Sequence, residues 1–270
     1  MAEQLACTVG VIGAGSMGGA VARGLAESDL VAPGHVLACD HHADKLAALE
    51  AAGVRACATA EKLAGEKPDV LVLAVKPQVL SGVTATVAPS VEGTLVVSIA
   101  AGIPTAALEA ALPGARVVRA MPNLPVQVRS GATAVCAGAT ATADDVELVR
   151  TLFSALGAVS VMREDQLDVE SAVVGTAPAF FSLFVNALTK AGVKAGLPAA
   201  ACRELVEATM RGCAEQLLVE GVHPCAYAER VTSPGGTTAA AVYELEPHLL
   251  EGSYAAVEAA LARTRELADS

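Results

Sequence analysis

The sequence predicts an α/β chain in two parts: a mainly parallel β-sheet with helices on both faces, then an all-helical C-terminal domain. Three observations carry this reading. Short runs rich in valine, isoleucine and leucine alternate with alanine-rich helical patterns as far as Met162. Beyond Arg163 no apolar run has strand character, and helical periodicity fills the remainder. A glycine triplet, Gly13, Gly15 and Gly18, follows directly on the first run.

Strands are expected at residues 8–12, 35–39, 69–75, 94–99, 116–121, 132–136 and 158–162. Near-continuous apolar strands separated by helices belong to parallel sheets buried on both faces. The run Val70-Leu71-Val72-Leu73-Ala74-Val75 has the character of a central strand, and Lys76-Pro77 ends it. Helical patterns cover 18–27 and 43–52 in this half, then 165–173, 178–195, 198–220, 237–245 and 254–268. Pro198 suits a first helical turn and Gly221 a helix C-terminus. The expected domains are therefore residues 1–163 and 164–270.

Composition narrows the function classes. Apolar residues make up 53% and charged residues 17%, an excess that suggests a second subunit covers part of the surface. The net charge of −11, without a Lys/Arg run, argues against nucleic acid or an anionic membrane as partner. One uncharged stretch, 171–189, has the length of a membrane span, but Gly175, Thr176, Pro178, Ser182 and Asn186 are costly together in lipid. A helix at a subunit interface is the expectation there, with Phe180, Phe181 and Phe184 packing. Met1 to Gln4 lead almost directly into a strand, so a cytoplasmic protein without a leader is expected. Seven cysteines with no C-x-x-C pair read as reduced apolar residues, and the histidines have no ligand spacing; no metal is expected.

Gly13, Gly15 and Gly18 fit G-x-G-x-x-G. With 24 glycines in 270 positions, chance supplies about 0.2 such triplets, so context decides. Val9-Gly10-Val11-Ile12 runs straight into Gly13, a helical pattern follows from Ser16, and Asp40 ends the next strand. Gly13 would permit the turn, Gly15 the approach of a pyrophosphate, and Gly18 close helix–strand packing. The N–H groups of Ser16 and Met17 would face phosphate at the helix N-terminus. Residues 1–163 thus read as a Rossmann-type dinucleotide-binding domain. Asp40 would accept hydrogen bonds from the adenosine ribose and repel a 2′-phosphate, leaning the choice to NADH over NADPH. The adjacent His41 and His42 could accommodate that phosphate, and Asp40 could instead cap the next helix.

A second motif lies far along the chain. Val231-Thr232-Ser233-Pro234-Gly235-Gly236-Thr237-Thr238 leads into the helical run Ala239-Ala240-Ala241-Val242. It is a turn with exposed N–H groups and the hydroxyls of Ser233, Thr237 and Thr238, a setting that suits a carboxylate. By spacing alone it could equally be a Ser/Thr-capped helix.

Over nearly its whole length the sequence resembles the pyrroline-5-carboxylate reductase family. Gly13-Ala14-Gly15-Ser16-Met17-Gly18 is similar to that family's cofactor loop. Ala74-Val75-Lys76-Pro77-Gln78 and Ser98-Ile99-Ala100-Ala101-Gly102-Ile103 resemble its next strand ends, and Arg119-Ala120-Met121-Pro122-Asn123-Leu124-Pro125 its loop near the nicotinamide. The segment from Val231 to Thr238 resembles its most diagnostic signature. The resemblance implies reduction of 1-pyrroline-5-carboxylate to L-proline by hydride from NADH or NADPH, the last step of proline biosynthesis. It implies a homo-oligomer built on a dimer of the helical domains. It places cofactor at Gly13, Ala14, Gly15, Ser16, Met17 and Asp40, at Ala74, Val75, Lys76 and Pro77, and at Ala100, Ala101, Gly102 and Asn123. It places substrate at Glu164, Ser233, Gly236, Thr237 and Thr238, with the Thr238 hydroxyl meeting the imine nitrogen as the catalytic group.

The chain departs from the family pattern in four places. Val174-Gly175-Thr176-Ala177-Pro178-Ala179 stands where Ser-Gly-Ser-Gly-Pro-Ala is usual, adding bulk. Tyr227 replaces an aliphatic residue of the signature, Asp40-His41-His42 an Asn-Arg-Ser/Thr type of triplet, and Leu124 a frequent threonine. These leave open a related reductase acting on a different, for example six-membered, cyclic imino acid.

Overall fold

The computed structural model describes residues 4–268. Eight strands form one sheet: β1 Val9–Ile12, β2 Val36–Cys39, β3 Arg55–Ala56, β4 Val70–Leu73, β5 Leu95–Ser98, β6 Arg116–Pro122, β7 Gly131–Ala137 and β8 Gly157–Val161. Their order is β3-β2-β1-β4-β5-β6-β7-β8. Neighbours pair parallel except β6 with β7, which are antiparallel and joined through residues 123–130. The two-residue β3 carries no apolar run and has no counterpart in the sequence expectation. It exists because β2 offers an edge: the Cys57 N–H donates to the Ala38 carbonyl at 2.8 Å.

Side-chain alternation along the strands divides the core into two layers. Val9, Val11, Val36, Val70, Val72, Leu95 and Val97 pack on one side against Val21 and Leu25 of α1 (Ser16–Ala26) and Val149, Leu152 and Phe153 of α6 (Ala143–Ser154). Ile12, Leu37, Leu71, Leu73 and Val96 face the other way. They meet Leu63 of α3 (Ala60–Gly65), Leu80 and Val87 of α4 (Pro77–Val87) and Leu108 of α5 (Thr105–Ala111). A further helix, α2 (Ala43–Glu50), buries Leu49. Each fully buried Val or Leu contributes about 1.5–3 kcal/mol, and the central strands are buried residue by residue, so this sheet is the stable frame.

By compactness the chain divides later than the expected 163/164 limit. Of the described residues, 4–176 and 263–268 form one compact unit, and Ala177–Ala262 the other. The cause is α7 (Glu164–Glu170): its Leu167 is fully buried with Met121, Ala134 and Cys136 of β6 and β7. A π-helical segment, Ser171–Gly175, follows and buries Ala172.

The helical unit contains α8 (Ala177–Lys194), α9 (Ala199–Glu220), α10 (Pro224–Arg230) and most of α11 (Thr237–Ala268). In the link between α8 and α9, Gly196 adopts φ +108° and Leu197 N–H donates to the Gly192 carbonyl. Pro198 precedes α9 rather than entering it, its carbonyl accepting the Cys202 N–H at 2.9 Å. Gly221, at φ +63°, closes α9. Two features depart from the periodicity reading. The short α10 was not expected, and α11 runs unbroken where two helices were expected. Pro247 lies inside α11, where it removes one donor without ending the helix.

Apolar side chains of this unit are largely uncovered: no residue of α8 is buried, with Phe181 59% and Leu183 65% exposed. The helical run Glu164–Lys194 is long and apolar enough to cross a membrane by length and composition. Among the described residues no group of three or more His, Cys, Asp or Glu side chains could hold a metal ion.

Candidate active site

The three glycines divide the labour that their spacing suggested. Gly13 takes φ +97°, and a Cβ there would meet the Ala74 carbonyl oxygen at 2.7 Å. A Cβ on Gly18 would lie 2.0 Å from the Gly13 carbonyl oxygen and 2.6 Å from Ala74 Cβ, so α1 crosses β1 and β4 at a distance only glycine allows. A Cβ on Gly15 would meet nothing within 4 Å. That open face, at the N-cap of α1 beside the free N–H groups of its first turn, has the shape and donors that suit a phosphate group.

Asp40, at the end of β2, reaches back to this loop. Its Oδ2 accepts the Ala14 N–H at 2.7 Å, and its Oδ1 accepts the His42 N–H at 2.9 Å. His42 Nδ1 lies 2.8 Å and Lys45 Nζ 3.5 Å from the same Oδ1. Burial alone would raise the carboxyl pKa; the hydrogen bonds from His42 and Ala14 and the Lys45 charge outweigh it, and the group titrates at about 2. Asp40 does not cap α2, whose N-cap is His42.

Beside Asp40 opens a cavity of about 430 Å³, lined by Gly13, Asp40, His41, Thr59, Val75, Val79 and Val83 among others. An apolar slot next to a phosphate cradle fits the adenosine end of a dinucleotide. Thr59 and its neighbours were absent from the sequence reading, because β3, which delivers them, is too short to register. The available signal was local: Thr59 caps α3, accepting the Lys62 N–H at 3.2 Å. A second, more open cavity of about 630 Å³ flanks the loop's other side at Ala14, Gly15, Ser16, Arg23 and Lys45.

The other expected cofactor residues lie at the carboxyl ends of successive strands. Ala74 and Val75 follow β4, Lys76 is the N-cap of α4, and Pro77 its first residue. Ala100, Ala101 and Gly102 follow β5, with Gly102 at φ +73° and Ala100 N–H donating to Ser98 Oγ. Asn123 follows β6, but its side chain is engaged within the fold. Its Oδ1 accepts the Ala132 N–H at 2.9 Å, and its Nδ2 donates to the Val174 carbonyl at 3.3 Å.

Glu164 is likewise engaged, where the family resemblance implied a substrate ligand. One carboxylate oxygen accepts the Thr105 N–H at 2.6 Å and Arg119 Nη1 at 2.8 Å; the other accepts the Thr105 hydroxyl at 2.8 Å. Burial opposes ionisation, yet the bonds from Arg119 and Thr105 prevail and hold the carboxyl below its usual range. Arg119 is 4% exposed, so this ion pair ties β6, the start of α5 and the start of α7 together.

The second motif lies in the helical unit, between α10 and α11. Gly235 takes φ +69°, and Gly236 N–H donates to the Ser233 carbonyl at 2.9 Å. A Cβ on Gly236 would come within 2.3 Å of Ser233 Oγ, so glycine is what lets the serine hydroxyl fold over the turn. Thr237 and Thr238 open α11, where N–H groups have no intrahelical partner. Among the described residues no partner engages the hydroxyls of Ser233, Thr237 or Thr238. These donors converge on a few residues and suit a carboxylate.

A parallel sheet in this strand order, with a phosphate cradle after β1 and an adenosine slot beside it, defines a nicotinamide-dependent oxidoreductase. Comparison with known proteins specifies which. Residues 8–102 match the family described as NADP oxidoreductase, coenzyme F420-dependent, and residues 164–267 match pyrroline-5-carboxylate reductase dimerisation. A pyrroline-5-carboxylate reductase from Synechocystis is 35% identical over 96% of this chain and 97% of its own length. The solved pyrroline-5-carboxylate reductase of Coxiella burnetii superposes with a TM-score of 0.91 at 33% identity, covering 97% of this chain and 99% of that one. The Plasmodium falciparum pyrroline carboxylate reductase, solved with NADP bound, gives 0.85 at 26% identity, covering 98% and 100%. The chain belongs to the pyrroline-5-carboxylate reductase family.

Proposed function

We propose that this protein reduces 1-pyrroline-5-carboxylate to L-proline with a hydride from a nicotinamide cofactor, closing proline biosynthesis. The observation that carries the proposal is the pairing, in one chain, of the open Gly15 loop with a turn whose three hydroxyls have no partner among the described residues. Ser233 and the N–H groups of Thr237 and Thr238 hold the substrate carboxylate, and Gly236 leaves room for Ser233. The Thr238 hydroxyl hydrogen-bonds the imine nitrogen and orients the C=N bond. The bound dihydronicotinamide supplies the hydride. A protonated imine is already electrophilic, so the protein's main task is placement rather than acid–base chemistry.

Glu164 and Asn123 act in this reading through position. Their polar atoms hold the loops after β5 and β6, which flank the nicotinamide. Asp40 favours NADH, because a carboxylate that stays ionised down to pH about 2 repels a 2′-phosphate. The uncovered apolar face of α8 and its neighbours pairs with a second copy, as the dimerisation match supports.

A steady-state assay with 1-pyrroline-5-carboxylate and its six-membered homologue, each with NADH and NADPH, tests the proposal. Preference for the five-membered ring supports it, and preference for the larger ring overturns the substrate. Thr238→Ala should lower kcat/KM for the imine at least about tenfold while KM for the cofactor holds. Equal loss in both would remove Thr238 from the reaction.

A further inference from the structure

In the helical unit, four side chains of α9 and α10 close a ring. The Tyr227 hydroxyl donates to Gln216 Oε1 at 2.9 Å. Gln216 Nε2 donates to Glu220 Oε1 at 2.7 Å. Glu220 pairs with Arg230, and the Arg230 guanidinium lies over the Tyr227 ring, 5.5 Å from its centre. Gln216 and Glu220 stand one turn apart on α9, Tyr227 and Arg230 about one turn apart on α10, so the helices meet rung to rung.

This ring, with the Tyr227 hydroxyl also 3.6 Å from Cys213 Sγ of α9, ties α10 to α9. The helix has seven residues and buries none of them, far below the length at which a helix persists alone. Its last turn runs directly into the substrate turn. Thr232 Oγ1 donates to the Ala228 carbonyl at 2.7 Å, and the Thr232 and Val231 N–H groups donate to Glu229 and Ala228. Ser233 is the next residue. The direction of α10 therefore sets where Ser233 begins.

We infer that Tyr227, through its ring with Gln216, Glu220 and Arg230, is a positioning residue for the substrate's carboxylate site. The inference rests on the proposed assignment of the turn from Ser233 to Thr238. Tyr227 does not touch substrate; its hydroxyl fixes the α9–α10 angle, and the angle places the Ser233 hydroxyl and the first N–H groups of α11.

The test uses the intact enzyme with Tyr227→Phe, Gln216→Leu and the double variant. Each single change should raise KM for 1-pyrroline-5-carboxylate about fivefold, the worth of one hydrogen bond, and leave KM for the nicotinamide cofactor unchanged. Because the two changes share the Tyr227–Gln216 bond, the effect of the double variant should fall short of the sum of the two single effects. General loosening would instead lower kcat through a smaller folded fraction and leave both KM values in place. An unchanged imine KM in both single variants, with the wild-type enzyme active on the imine, overturns the inference. A wild-type enzyme inactive on the imine overturns the proposed function and takes this inference with it.

Discussion

The Asp40 carboxylate accepts the Ala14 N–H at 2.7 Å, fastening the end of β2 to the glycine loop. One side chain thereby shapes the glycine loop and sets the charge beside the cavity next to it. The two roles separate by substitution. Asp40→Asn keeps an acceptor for Ala14 but removes the charge, and should raise the kcat/KM ratio of NADPH to NADH about tenfold. Asp40→Ala also releases the loop and should raise KM for both cofactors. An unchanged ratio in Asp40→Asn would show that the carboxylate plays no part in cofactor choice.

Gly15 and Gly18 should fail in different ways. A methyl at Gly18 meets the Gly13 carbonyl and Ala74 Cβ, so Gly18→Ala should destabilise the fold by about 2 kcal/mol or more, seen as a lower urea midpoint. A methyl at Gly15 meets nothing, so Gly15→Ala should keep its midpoint and lose cofactor affinity, read by NADH fluorescence titration. A midpoint lowered equally in both variants contradicts this division.

Glu164 is predicted to act on the loop after β5 rather than on substrate. Glu164→Gln leaves the buried Arg119 without its counter-ion and weakens the hold on Thr105. Glu164 is about one-third exposed, so solvent screening tempers the loss, and about 1–2 kcal/mol of stability is expected to go. KM for the cofactor should rise more than KM for the imine. The reverse order would return Glu164 to the substrate.

Glu170 supplies a pH signature. It is 7% exposed, its Oε2 is buried without a partner, and burial pushes its carboxyl up to about 7 from an ordinary 4.5. Because the folded pKa is raised, the stability linked to this group is complete below pH about 4.5 and is lost as pH rises through 7. The loss amounts to about 3 kcal/mol. Glu170→Gln should flatten the decline of Tm between pH 5 and pH 8. A wild-type-like slope in the variant would assign the decline to other groups.

The N-terminal sheet was legible because its signals are local. Strands such as 70–73 are buried on both faces and therefore apolar at every position, and Gly13, Gly15 and Gly18 stand at a fixed spacing directly after β1. β3 escaped notice because two residues, held by an edge that β2 supplies, carry no pattern. In α11 the periodicity breaks near Pro247 and Gly252, yet the helix continues through both.

For the site, residue types and spacing were enough to identify the dinucleotide cradle, and the resemblance of the distant turn pointed to the imine. Neither could say which polar groups were already engaged. Glu164 stands at the substrate by family resemblance, and nothing in its neighbourhood announces the bonds to Thr105 and Arg119, 59 and 45 positions away. Asp40 could cap α2 by its place in the sequence, but His42 is that N-cap and Asp40 fastens Ala14 instead. Tyr227 reads as an aliphatic position gone astray until Gln216 and Arg230 close around it. A sequence records what each side chain can donate or accept. Only the tertiary structure decides which of those capacities the fold consumes and which it leaves for ligands, because hydrogen bonds are spent by proximity, and the chain brings distant residues together only when it folds.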